Sequence, residues 1–143
     1  MKQMILAVAA LSLVAGTGCG MESPTAPPPP KTVALNEDFE LAAGQTGVVG
    51  DSGLSVVFER VASDSRCAVD VTCVWEGDAA VALRATATGQ PEGTLDLHTS
   101  GHVGSRQGRY LDFTFTLKDV NPQPRSTDRI KAGAYRVVLR VTR

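Results

Sequence analysis

The side chains best equipped for chemistry in this 143-residue chain crowd into one stretch, Asp64-Ser65-Arg66-Cys67-Ala68-Val69-Asp70-Val71-Thr72-Cys73-Val74-Trp75-Glu76-Gly77-Asp78. Cys67 and Cys73 admit a disulfide, a shared metal or a redox pair. Zinc sites favour C-x2-C spacing with a second Cys or His pair close by, and the sequence has neither here. A redox pair wants C-x-x-C with a helix start behind the first Cys, which is also missing. Asp64, Asp70, Glu76 and Asp78 offer hard oxygens for calcium, but without EF-hand spacing or its Gly. In an oxidising compartment the default is a disulfide, with calcium nearby as the alternative and no metal expected. A bridge over so short a loop contributes about 2 kcal/mol by restricting the unfolded chain. Asp64 and Arg66 read as a local ion pair or as partners for turn amides. Trp75 lies two residues after Cys73, so both share a face if a strand has begun, and Trp75 then packs near the bridge. Asp64, Arg66, Asp70 and Trp75 make this loop the candidate binding surface.

Elsewhere the chemistry is thin. His98 and His102 are the two histidines, and Ser100-Gly101 between them argues against the helix that an i, i+4 metal pair requires. They read as members of a solvated loop. Ser100 and Ser105 lie close in sequence, but no G-x-S-x-G elbow is present. The remaining carboxylates are scattered over turns and define no glycosidase pair. The expectation is a protein that is not an enzyme and carries no cofactor.

The compartment is read from the N-terminus. Lys2 precedes Met4–Val14, an apolar run broken only by Ser12. That run is too short to span a bilayer and matches the core of a signal peptide. Ala15-Gly16-Thr17-Gly18-Cys19 then resembles a bacterial lipobox, with Gly16 where that pattern usually has Leu. The resemblance implies cleavage before Cys19 and acylation of its thiol, so the membrane is a partner through Cys19. Gly20 follows, not the Asp that resembles an inner-membrane retention signal, which favours the outer membrane in a diderm source. Ordinary secretion with a free Cys19 is the alternative. The chain has three cysteines, an odd number, and a Cys67–Cys73 bridge leaves Cys19 as the one that needs another explanation. Residues 1–18 are read as leader and 19–32 as linker. The Pro27–Pro30 run favours extended polyproline II and reads as a semi-rigid spacer.

The elements that must hold the motif loop are strands. Leu54, Val56 and Phe58 alternate with Ser55, Val57 and Glu59. The same period runs through Val74–Thr88, Thr94–His98, Leu111–Lys118 and Tyr135–Thr142. Gly, Asp, Asn and Pro punctuate the gaps, and no helical period is sustained. The expected fold of 33–143 is all-β, an immunoglobulin-like β-sandwich of about seven strands, with a small β-barrel as the alternative. The last strand, with Arg136 and Arg140 facing outward, reads as an edge protected by charge. Asn121–Gly133 reads as a crossing between sheets, and His98–Arg109 as a mobile hairpin or loop.

Cleavage before Cys19 leaves 13 basic and 15 acidic residues, a net charge of −2. No basic surplus exists to displace counterions from phosphates, which argues against nucleic acid. The Asp64–Ala79 segment resembles one that recurs in small, uncharacterised bacterial lipoproteins, DSRCP followed by CVW-G-A, with Ala68 in place of the Pro. That resemblance implies a shared β-sandwich fold and brings no activity. Gly44-Gln45-Thr46, after Asn-Glu-Asp-Phe-Glu-Leu, is faintly similar to the opening of chagasin-type cysteine-protease inhibitors, whose N-P-T-T-G-Y loop is absent. The expected function is a non-enzymatic envelope module binding a protein or glycan, with an inhibitor of, or enzyme acting on, envelope substrates as the alternative.

Overall fold

The computed structural model describes residues 26–143; the leader and Cys19 lie outside the described residues. Nine strands follow in order: β1 (Lys31–Val33), β2 (Asp38–Ala42), β3 (Thr46–Val49), β4 (Leu54–Asp64), β5 (Ala79–Ala87), β6 (Gly93–His98), β7 (Gln107–Tyr110), β8 (Phe113–Asn121) and β9 (Arg136–Thr142). One sheet has the order β1-β3-β4-β5-β6 and the other β2-β9-β8-β7. Every pairing is antiparallel except β1 with β3. The two sheets do not close on each other, so the architecture is a β-sandwich and not a barrel.

Alternation explains which face each strand buries. Val56 and Phe58 on β4 and Val81 and Leu83 on β5 are essentially inaccessible. Leu41, Phe115, Leu117, Val137 and Leu139 on the second sheet complete the same core. Full burial of each large side chain contributes about 1.5–3 kcal/mol. The period slips where the register does. A bulge between Leu117 and Asp119 turns Val120 inward, and two more bulges divide the outer half of β4 from its core-facing half. All three lie at or beyond the middle of their strands, where bulges bend and twist the chain locally.

Several expectations change. Nine strands replace about seven because β1, β3 and β7 are only three or four residues long, too short to display a period. Lys31 and Thr32, read as linker, already pair with Gly47 and Val48. The strand expected from Val74 begins at Ala79, leaving Trp75 outside it. β9 is not an edge: β2 lies along its open side, where Arg140 pairs with Asp38 at 2.6 Å. The connection from Asn121 returns to the neighbouring strand of the same sheet and does not cross between sheets. The chain changes sheet instead from β1 to β2, from β2 to β3 and from β6 to β7.

The connections divide unequally. Those at one end are short turns near Asn36, Asp51, Gly89 and Leu111. The other end carries the three long ones, residues 65–78, 99–106 and 122–135, beside the short turn 43–45 between β2 and β3. The antiparallel order places all three together, since β4, β6 and β8 end there and β5, β7 and β9 start there.

Leu111 occupies the two-residue turn between β7 and β8 at φ 55°, half-exposed at 48%. Leu is strained in that left-handed region, whereas Asn tolerates it. Leu111→Asn is expected to stabilise the fold by about 0.5–1 kcal/mol, raising Tm by about 3–5 °C. A thermal melt showing no rise contradicts this account of the turn.

Candidate functional site

The long-loop end is built outward from the last residue of β4. Asp64 accepts from Arg66 Nε at 2.9 Å and from Arg66 Nη2 at 2.7 Å, a two-pronged pair that also receives the Tyr135 hydroxyl at 3.0 Å. The Arg66 guanidinium donates further to the backbone carbonyls of Val120 and Pro122. The Arg66 and Asp64 side chains are only 8% and 11% exposed. One cation therefore joins the end of β4 in one sheet to the end of β8 and the start of β9 in the other. Burial pushes the Asp64 carboxyl up, but the Arg66 hydrogen bonds and charge, with Tyr135, outweigh it and hold it below the usual value. Burial and the Asp64 carboxylate push the Tyr135 phenol up in turn.

Beyond this pair the β4–β5 hairpin continues as a narrow ladder. Ser65 N–H donates to Asp78 O at 2.7 Å, and Cys67 N–H to Glu76 O at 2.9 Å. Gly77 makes that closeness workable. Its φ is +70°, and a Cβ there would fall 1.9 Å from the Ser65 carbonyl oxygen. The Cys67–Cys73 disulfide closes the next step, with Cα atoms 6.0 Å apart.

The tip that remains, residues 68–75, is clamped from the side. Val69 N–H donates to Pro124 O at 3.0 Å. Asp70 accepts from the Ser126 amide at 2.9 Å and its hydroxyl at 2.6 Å, which holds the Asp70 carboxyl below its usual value. Pinned in this way, the tip turns its apolar side chains outward: Val69 is 58% exposed, Val71 49%, Val74 104% and Trp75 58%. The strand expected to put Trp75 on the face of Cys73 does not reach it: β5 starts at Ala79. The chain turns through Glu76-Gly77-Asp78 before β5 starts, so no strand geometry carries Trp75 inward.

A second polar cluster stands where β5 begins and β6 ends. Asp78, 5% exposed, accepts the Ser100 amide at 2.9 Å and the Thr99 hydroxyl at 3.3 Å, and lies 2.7 Å from His98 Nδ1. Burial raises the Asp78 carboxyl, but His98, Ser100 and Thr99 lower it further, to a net value below normal. The Ser100 hydroxyl donates to Glu76 at 2.8 Å, not to His98. The His98 ring packs on Gly104, where a Cβ would lie 2.2 Å from Cδ2. His98 is therefore a partly buried partner of a structural carboxylate, not a member of a solvated loop. His102 remains exposed.

Of the motif-loop residues singled out in the sequence, Asp64 and Arg66 meet in the brace, Asp70 anchors the neighbouring connection, and Trp75 stands exposed. The sequence reading missed Tyr135, Asp78, His98 and Ser100 as partners. Asp78 next to an apolar strand start was the available signal. Two shallow cavities open between the connections. One of about 370 Å³ is lined by Val61, Asp64, Pro124, Arg129, Ile130 and Tyr135. One of about 210 Å³ is lined by Arg66, Glu76, Thr99, Arg106, Asp119 and Gln123. Among the described residues no group of three or more His, Cys, Asp or Glu side chains is arranged to hold a metal ion.

Removing one member of a buried pair strands the other. Arg66→Ala is expected to cost about 3 kcal/mol, read as a lowered urea midpoint at unchanged slope. A change below the fitting error means the brace does not join the sheets as described. Asp64 and Asp78 titrate lower in the folded than in the unfolded chain, so their stabilisation is complete above about pH 5 and is lost as the pH falls through the unfolded value near 4 and on through the folded one. The urea midpoint should hold down to about pH 5 and then drop, less steeply in Asp64→Asn. An identical acid slope in that variant contradicts the assignment.

A scan against protein-family models and searches of curated proteins and of solved structures return no match to this chain.

Proposed function

We propose that the protein is a cell-envelope lipoprotein, anchored through Cys19, whose β-sandwich is a non-enzymatic binding module. The long-loop end is its contact surface. The observation that carries this reading is the rigid, disulfide-closed tip with Val69, Val71, Val74 and Trp75 held in solvent. Leaving four large apolar side chains exposed together on one braced loop is costly, and such patches mark interaction sites. Pre-ordering by the bridge, the Arg66 brace and the Asp70–Ser126 clamp lowers the entropy lost on contact. Trp is also a favoured anchor at contact surfaces.

The two cavities beside the disulfide loop, about 370 and 210 Å³, are at or below the low end of ligand-pocket size, which at the tip favours a surface contact; the larger one, about 710 Å³, lies along the Pro27–Pro30 run. The Ser100 hydroxyl is committed to Glu76, so it supplies no nucleophile for the Asp78–His98 pair. The likeness of the Asp64–Ala79 segment to small bacterial lipoproteins fits the same reading, because the shared motif includes Cys73, Val74 and Trp75 of the tip. An envelope location follows from the leader and Cys19, with the outer membrane favoured in a diderm source.

Photo-crosslinking amino acids at Val74 and at Gln90, on opposite ends, test the reading in cells. Adducts are expected from Val74 and not from Gln90. Adducts from Gln90 alone, or from neither, overturn the assignment of the contact surface.

A further inference from the structure

The N-terminal segment leaves the sandwich at the same end as the exposed tip. β1 runs parallel to β3, with Lys31 opposite Gly47 and Val33 opposite Val49. Traced backwards from Lys31, the chain therefore heads towards the end where β4 finishes. Pro27 and Pro28 continue that way and come against Gly44. Gly133, on the connection that clamps the tip, lines the same recess as Ala26, Pro27 and Pro28. The Gln45 side-chain amide donates to Pro29 O at 2.9 Å and holds the segment in this direction.

Cys19 precedes Ala26 by seven residues. Fully extended, that length reaches about 25 Å at most. β8 alone, nine residues long, spans about 30 Å. The tether is shorter than the sandwich is tall, so a lipid on Cys19 keeps the long-loop end towards the bilayer and the short-turn end away from it.

We infer that the tip of the disulfide loop, Val69, Val71, Val74 and Trp75, docks into the interface of the same bilayer that holds the lipid of Cys19. This rests on the proposed anchor and names the occupant of the proposed contact surface. Trp prefers the headgroup boundary, where its ring is shielded and its N–H stays wet. The valines add apolar area beneath it, and the bridge holds them out without a further ordering cost. Arg125 sits between Pro124 and Ser126, the two residues that bond the tip, so a cation borders it at headgroup height. Asp70 lies on the flank with its carboxylate turned to Ser126. The tether and the tip then make two attachments at one end, which fixes the domain upright on the membrane instead of letting it swing on a flexible lead.

Trp75 is the sole tryptophan of the chain, so its fluorescence reports the tip alone. The lipidated protein is reconstituted into vesicles of phosphatidylethanolamine and phosphatidylglycerol, with and without brominated acyl chains. Trp75 emission is expected to shift to the blue relative to the Cys19→Ser protein in buffer, and to be quenched by the brominated lipid. Val71→Asp with Val74→Asp should abolish both effects while the protein still floats with the vesicles and melts as before. Floating protein whose Trp75 stays unquenched and open to acrylamide overturns the inference, and Val74 crosslinks to an envelope protein would then leave the contact surface standing with another occupant. Protein that has no lipid by mass and does not float overturns the anchor and this inference together.

Discussion

Arg66 carries its charge into a site almost closed to water, and the long-loop end is arranged around satisfying it. A guanidinium there is tolerable only if its donors are met. Both oxygens of Asp64 and two backbone carbonyls at the end of β8 meet them. Those acceptors come from different sheets, so the sandwich is closed at this end by geometry as well as by apolar packing. A hydrophobic substitute of similar volume could fill the space, but it would not fix the angle at which β4 leaves the core or the position of the Pro122 carbonyl.

That fixed exit angle sets everything further out. The ladder beyond β4 and β5 depends on Gly77 lying against the Ser65 carbonyl, and the disulfide depends on the ladder bringing Cys67 and Cys73 into range. The clamp from Asp70 to Ser126 then ties the tip to the connection that begins at the carbonyls held by Arg66. Each layer restricts the next. The outcome is a loop that keeps four apolar side chains in water, because the backbone beneath them has no freedom to fold them away.

The other cluster, Asp78 with His98, Thr99 and Ser100, performs the matching task on the inner side. It satisfies the amide of Ser100 at the point where the chain leaves β6 for the second sheet. With the core alternation on either face, it gives the long-loop end bonds that most connections of this size lack. The short-turn end is tied across the sheets by the Tyr110 hydroxyl, which donates to Pro91 O at 2.6 Å, and carries the Arg143–Asp112 pair at its rim.

Much of this was legible in the residues. Period-two alternation in β4, β8 and β9 depends only on local stereochemistry and the need to bury one face, so those strands and the sandwich class could be read directly. Cys67 and Cys73 could be paired because their spacing and the leader argue for an oxidised bridge. What could not be read depends on contacts distant in sequence. Tyr135 looks like one more inward strand residue until Asp64, 71 positions away, takes its hydroxyl. Trp75 follows the strand period by composition, yet Gly77 turns the chain before the strand begins. β9 looks like an edge because outward arginines are common there, whereas β2 supplies a neighbour that no local pattern reveals. Local sequence determined which residues seek burial and where the chain can bend. Only the tertiary structure decided which strands became neighbours and brought the tether and the tip to the same end, because sheet order is set by the packing of the whole chain.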